Sequence, residues 1–220
     1  MKSVSSARTC SNDSLRIAVK GWLKDRGASK VKYGHIRDWN VKEVTDMNSL
    51  FSSNVEYGGP GEIVKQFNED ISRWDVSNVT DMSAMFFEAK AFDGDITSWD
   101  TSKVKNMHAI FFGAESFNRD ISSWNVENVT NMESMFYGAK LFNCNLSKWN
   151  VSNVLNTQDM FKDAPSFESD LSKWNVSKVT KMDWMFAGAS TFLHSQFLGS
   201  VSRWPRTQTS TNYMFSHVIK

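Results

Sequence analysis

The sequence predicts an α/β repeat solenoid, with one short parallel strand and one short helical or 3₁₀ segment per 25-residue unit behind an N-terminal capping helix. Three observations predict it. FNEDISRWDVSNVTDMSAMFFEAKA, beginning at Phe67, returns as a pattern at Phe92, Phe117, Phe142 and Phe167 without a gap. Down the columns so formed, Trp74, Trp99, Trp124, Trp149 and Trp174 align, as do Phe86, Phe111, Phe136, Phe161 and Phe186, and Ala89, Ala114, Ala139, Ala164 and Ala189. Within a unit the apolar spacing changes. The Trp74-x-Val76 step of two suits a strand with both side chains on one face, and the steps from Val79 through Met82, Met85 and Phe86 suit a helical turn. Stacked units would pair their strands in parallel and close one continuous core.

Taken in order, residues 1–12 read as a flexible leader and 13–35 as a capping helix and entry segment. Leu15, Val19, Trp22 and Leu23 lie on one helical face; Asn12, Asp13 or Ser14 offers an N-cap and Gly27 a stop. Residues 36–51 form a half unit, with Trp39, Val41, Val44, Met47 and Phe51 in register. Residues 52–66, rich in glycine and containing a proline, hold the ten extra residues of a loop insertion. Full units start at 67, 92, 117, 142 and 167, and a degenerate one at 192 keeps Trp204, Met214 and Phe215, closing the repeat solenoid at about 216. Trp204-Pro205 breaks the strand-like pattern there, and the end offers no helix comparable to the first.

Composition bounds the function. The 25 Lys and Arg nearly balance the 24 Asp and Glu, so no global field favours nucleic acid or an anionic membrane. No stretch has the length of a spanning helix, so membrane insertion is not expected, and the start lacks the apolar run of a secretory signal, so no export signal is visible. With only Cys10 and Cys144, stability must come from packing rather than disulfides.

The order Ile-x-x-Trp-x-Val-x-x-Val-x-x-Met-x-x-Met-Phe resembles the leucine-rich-repeat-like surface proteins of the BspA type, in the branch first described from mycoplasma surface proteins. WDVSNVTDMSAMF at Trp74, WNVENVTNMESMF at Trp124 and WNVSKVTKMDWMF at Trp174 carry the likeness, as does KYGHIRDWNVKEVTDM from Lys32. It covers about residues 13–216. It implies a leucine-rich-repeat-like fold and a surface or secreted location, with adhesion as the associated role.

If Trp74 and Val76 point inward, their neighbours form a polar strip on the open sheet face: Arg73 and Asp75, Ser98 and Asp100, Ser123 and Asn125, Lys148 and Asn150, Lys173 and Asn175. The half unit adds Asp38, Asn40 and Lys42. The middle column is always Asp or Asn, which suits either recognition or a ladder of side chains bonded to neighbouring backbone. The flanking columns vary, and specificity would reside there.

A second acidic column, Asp70, Asp95, Asp120 and Asp170 with Asn145, lacks the glycine-rich spacing of calcium repeats and suits turns. The Trp column sits where an inward apolar residue is needed, which argues against a stacking platform for sugars or bases. Trp184 stands outside that column and belongs either on the convex surface or against the last unit. Sequons begin at Asn12, Asn78, Asn128, Asn145, Asn150 and Asn175, arising from the repeat wording. His35, His108, His194 and His217 are scattered, and neither a zinc pattern, a phosphate loop nor a nucleophile elbow is present. The expectation is a non-enzymatic module without cofactor or metal, binding a protein or cell-surface macromolecule through the open face. The alternatives are a structural spacer and a carbohydrate-binding repeat.

Overall fold

The computed structural model describes residues 9–204 and 209–216. Each 25-residue unit is a coil made of consecutive tight turns, stacked on the coil before it. In the unit from Phe67, the backbone N–H of Trp74 donates to the carbonyl of Ile71, Val79 to Val76, Met85 to Met82, Phe87 to Ala84, Ala89 to Phe86 and Phe92 to Ala89, at 2.9–3.2 Å. Most of these closing residues are the apolar ones, so the closure of turns delivers them to the interior.

Neighbouring coils are joined by a second set of bonds. Met82, Ala84, Phe86 and Glu88 donate to the carbonyls of Asn106, His108, Ile110 and Phe112 in the next coil, and the pattern recurs as far as Met182, Trp184 and Phe186 donating to Ser210, Asn212 and Met214.

This arrangement overturns the expected α/β solenoid and its leucine-rich-repeat-like strand and helix in each unit. Among the described residues there is no strand and no sheet. Apart from Thr9 with Asn40, parallel pairing is confined to isolated bridges along Asp46, Asp81, Asn106, Asn131, Asn156, Lys181 and Ser210, seven residues beyond each tryptophan in the full units rather than at Trp-x-Val. The reason is torsional. Ala84 (φ 52°) and Glu88 (φ 53°) lie in the left-handed region, so extended backbone is interrupted every few residues. Trp74 and Val76 both point inward because one closes a turn and the other opens the next. The steps of three from Val79 likewise mark turns, and no helix occurs between 67 and 189.

The interior consists of columns of rings. Phe51, Phe86, Phe111, Phe136, Phe161, Phe186 and Phe215 stack with centroids 5.6–5.8 Å apart. A parallel column runs from Phe67 to Phe192, and each of its members from Phe92 to Phe167 stacks at about 4 Å on the phenylalanine six residues before it, as in Phe86 on Phe92. The indoles of the five full units also donate across the seam: Trp124 Nε1 reaches the Ile96 carbonyl at 3.1 Å, and Trp74, Trp99, Trp149 and Trp174 do the same one coil back. A position that needs both ring area and one donor favours Trp.

Two helices close the first end. Helix α1 (Asn12–Lys24) is capped by Ser11, in a box with Ser14, and buries Leu15, Ala18, Val19 and Trp22. It does not end at Gly27. Asp25 breaks it with extended backbone and caps α2 (Arg26–Tyr33) by accepting from the Ala28 N–H at 2.9 Å, so Gly27 lies inside α2. Arg16 donates to the Asn48 carbonyl, which would otherwise face outward from the first coil, and pairs with Asp46. Of the leader, residues 1–8 lie outside the described residues; Thr9 and Cys10 pair with Asn40.

The insertion loops out of the stack and is tied at its base, where Gly61 donates to Ser52 and Gly59 to Asn54. A Cβ on Gly59 would lie 2.4 Å from the Ser52 carbonyl oxygen, so only glycine fits. A 3₁₀ segment, Glu62–Gln66, returns the chain to Phe67. At the other end, the short helices α3 (Ser190–Leu193) and α4 (Leu198–Val201) build the sixth unit, and Trp204 stacks on Trp174 at 6.3 Å. Pro205 lies outside the described residues.

Candidate functional site

Arg73, Asp75, Ser98, Asp100, Ser123, Asn125, Lys148, Asn150, Lys173 and Asn175 are all exposed. They line the outside of the coils, on a strip of turns instead of a sheet face. The Asp and Asn column builds those turns: Asp75 Oδ1 accepts the Ser77 N–H at 3.1 Å, and Asp100, Asn125, Asn150 and Asn175 accept from the residue two further on in the same way. The Ser77 hydroxyl, then its N–H, holds the Asp75 carboxyl below its usual range; Ser102 acts likewise on Asp100.

The column one residue before each tryptophan has no such common partner. Arg73 pairs with Asp38 at 3.1 Å, and Ser123 donates to the Thr97 carbonyl, while Lys148 and Lys173 form no ion pair among the described residues. Two shallow cavities open on the strip. One, of about 380 Å³, is lined by Asn118, Asp120, Asn143, Cys144 and Lys148 among others; the second lies at Asp38, Asn40, Arg73 and Asp75.

The second acidic column also makes turns. Asp70, Asp95, Asp120, Asn145 and Asp170 each accept a backbone N–H two residues on, and the adjoining Ser or Thr hydroxyl lowers the Asp carboxyls. Among the described residues no cluster of His, Cys, Asp or Glu has the makings of a metal site. Burial raises the Cys144 thiol to about 11. His35 packs edge-on to Trp22, His194 bonds the Ser190 carbonyl, His108 sits apart from both, and His217 lies outside the described residues. The Trp74, Trp99, Trp124, Trp149 and Trp174 rings are 2–5 % exposed, so they present no stacking platform. Among the described residues no helix is long and apolar enough to cross a membrane.

Two columns escaped sequence reasoning. In one, Asn68, Asp93, Asn118 and Asn143 each accept the backbone N–H of the residue 25 positions on, stitching coil to coil. The other is an outer stack of Phe87, Phe112 and Tyr137 at 4.5 Å, continued by Lys162 over Tyr137 and over Trp184, which in turn stacks on Tyr213. The residue following each core Phe, aromatic at 87, 112 and 137, was the visible signal. Trp184 therefore packs on the last coil.

A family model described as "Mycoplasma protein of unknown function, DUF285" matches residues 25–140 and, overlapping it, 121–220. No curated protein and no solved structure matches the chain.

Proposed function

We propose, from the premise that the chain belongs to DUF285, a family of Mycoplasma proteins of unknown function, that it is a non-enzymatic module binding a protein or cell-surface partner through the polar strip. One observation carries this. The column before each tryptophan is exposed in every coil and varies as Asp38, Arg73, Ser98, Ser123, Lys148 and Lys173, while the columns beside it are engaged in turns. A scaffold that fixes its neighbours and leaves one column free to vary is suited to recognition. The resemblance of Trp74–Phe86 to BspA-type surface proteins supports the same role.

The test is a pull-down from surface and soluble extracts with the intact chain and with Arg73→Glu/Lys148→Glu/Lys173→Glu, folding being checked by circular dichroism. Retention by the intact chain and loss by the folded variant is the expected outcome. Equal retention by both places recognition elsewhere, and retention by neither favours a structural spacer.

A further inference from the structure

In the last three coils the variable column carries one sign of charge. The residue before Trp149 is Lys148, before Trp174 it is Lys173 and before Trp204 it is Arg203, and all three are exposed. None forms an ion pair among the described residues; this sets Arg203 apart from Arg16, Arg26, Arg37, Arg73 and Arg119, which all do, while Lys148 and Lys173 share it with other lysines such as Lys103 and Lys105.

The neighbouring column carries no carboxylate in these coils. It is Asp75 and Asp100 in the first two full units but Asn125, Asn150 and Asn175 later. Asn makes the same turn, with Asn150 and Asn175 accepting from Ser152 and Ser177 at 3.2 Å, yet brings no carboxylate beside the cations. Asn145 likewise stands near Lys148 where other units carry Asp. Asp120 and Asp170 are the carboxylates that face Lys148 and Lys173. Like charges on successive coils repel, a repulsion that Asp120 and Asp170 offset in part and an anionic ligand would relieve further.

Resting on the binding role proposed above, we infer that this column docks an acidic polypeptide segment in extended form, running along the stack. The spacing suits it. Successive coils repeat at 5.6–5.7 Å between core rings and 6.3 Å between Trp174 and Trp204. Alternate side chains of an extended chain are about 6.7 Å apart, so Glu or Asp at every second residue meets one cation per coil. A single-stranded nucleic acid would want exposed rings beside the charges, and Trp149, Trp174 and Trp204 are buried beneath them at 4–7 % exposure.

The experiment follows the fluorescence anisotropy of a labelled short peptide alternating Glu and Ser, titrated with the full chain. A peptide of the same composition with its Glu residues contiguous, a sulfated oligosaccharide and a single-stranded oligonucleotide serve as competing probes. Lys148→Glu/Lys173→Glu/Arg203→Glu should weaken the alternating peptide about tenfold or more, Lys30→Glu/Lys105→Glu should leave it nearly unchanged, and added salt should weaken it. Equal binding by the triple variant, or tighter binding of the oligosaccharide or oligonucleotide at this column, overturns the assignment. If the peptide fails while the pull-down still loses its partner on charge reversal, the binding role stands and the acidic segment falls. If both fail, the binding role falls too.

Discussion

At the scale of single residues, one side-chain type does different work according to its column. Trp124 fills the core and satisfies the Ile96 carbonyl, so Trp124→Ala should cost about 3–5 kcal/mol in denaturant unfolding. Trp184, outside the core between Lys162 and Tyr213, should cost about 1 kcal/mol for the same change. Equal costs would overturn the division into inner and outer rings. The aspartates set the response to acid. Asp70, Asp75, Asp95, Asp100, Asp120 and Asp170 are all lowered, first by a hydroxyl and then by a backbone N–H. A carboxyl lowered in the folded state adds stability above its unfolded value, near about 4, and that stability is lost as pH falls through the folded value. Melting temperature should therefore hold level through weakly acidic pH and drop below about pH 4, and Asp75→Asn/Asp100→Asn should flatten the drop. The strip was legible in the sequence as residues but ambiguous in role, because Asp and Asn serve a turn and a ligand equally well. Only the bond from Asp75 to Ser77 separates the two.

At the scale of the element, the period and the inward columns followed from the spacing of apolar residues, which reports burial directly. The conformation that achieves the burial did not. Ala84, Ala109, Ser134, Asp159, Trp184 and Tyr213 occupy equivalent left-handed positions, and none is the glycine that marks such backbone in a sequence. The same apolar steps therefore fit a strand and helix as well as a chain of turns. Gly113, Gly138 and Gly188, also left-handed, were the one local hint. A Cβ on Gly138 meets nothing closer than 3.8 Å, so Gly138→Ala should cost about 1–2 kcal/mol through torsion alone. Ser134→Gly, at φ 55°, should instead raise stability by up to about 1 kcal/mol, the relief of strain being partly offset by a freer unfolded chain. Chemical denaturation of the pair checks both signs.

For the whole molecule, equivalent seams mean that any coil can follow any other. Removing residues 117–141 deletes one period, so that Phe111 meets Phe161 in place of Phe136 and the remaining bonds keep their register. That protein should still unfold cooperatively, at a lower melting temperature, whereas removing 117–136 should abolish the transition. The seams are also directional. In each, four amides such as Met82, Ala84, Phe86 and Glu88 donate toward the C-terminal end, while one or two such as Lys105 and Ser116 donate back. Peptide dipoles aligned in excess one way add along the axis, as they do in a helix. Arg16 sits at the negative, carbonyl-rich end, and Lys148, Lys173 and Arg203 extend the positive one. With a net charge of only +1, the molecule should migrate weakly in an electric field yet turn strongly in it, its last coil toward the cathode. A stack bonded mainly one way comes with an electrical compass.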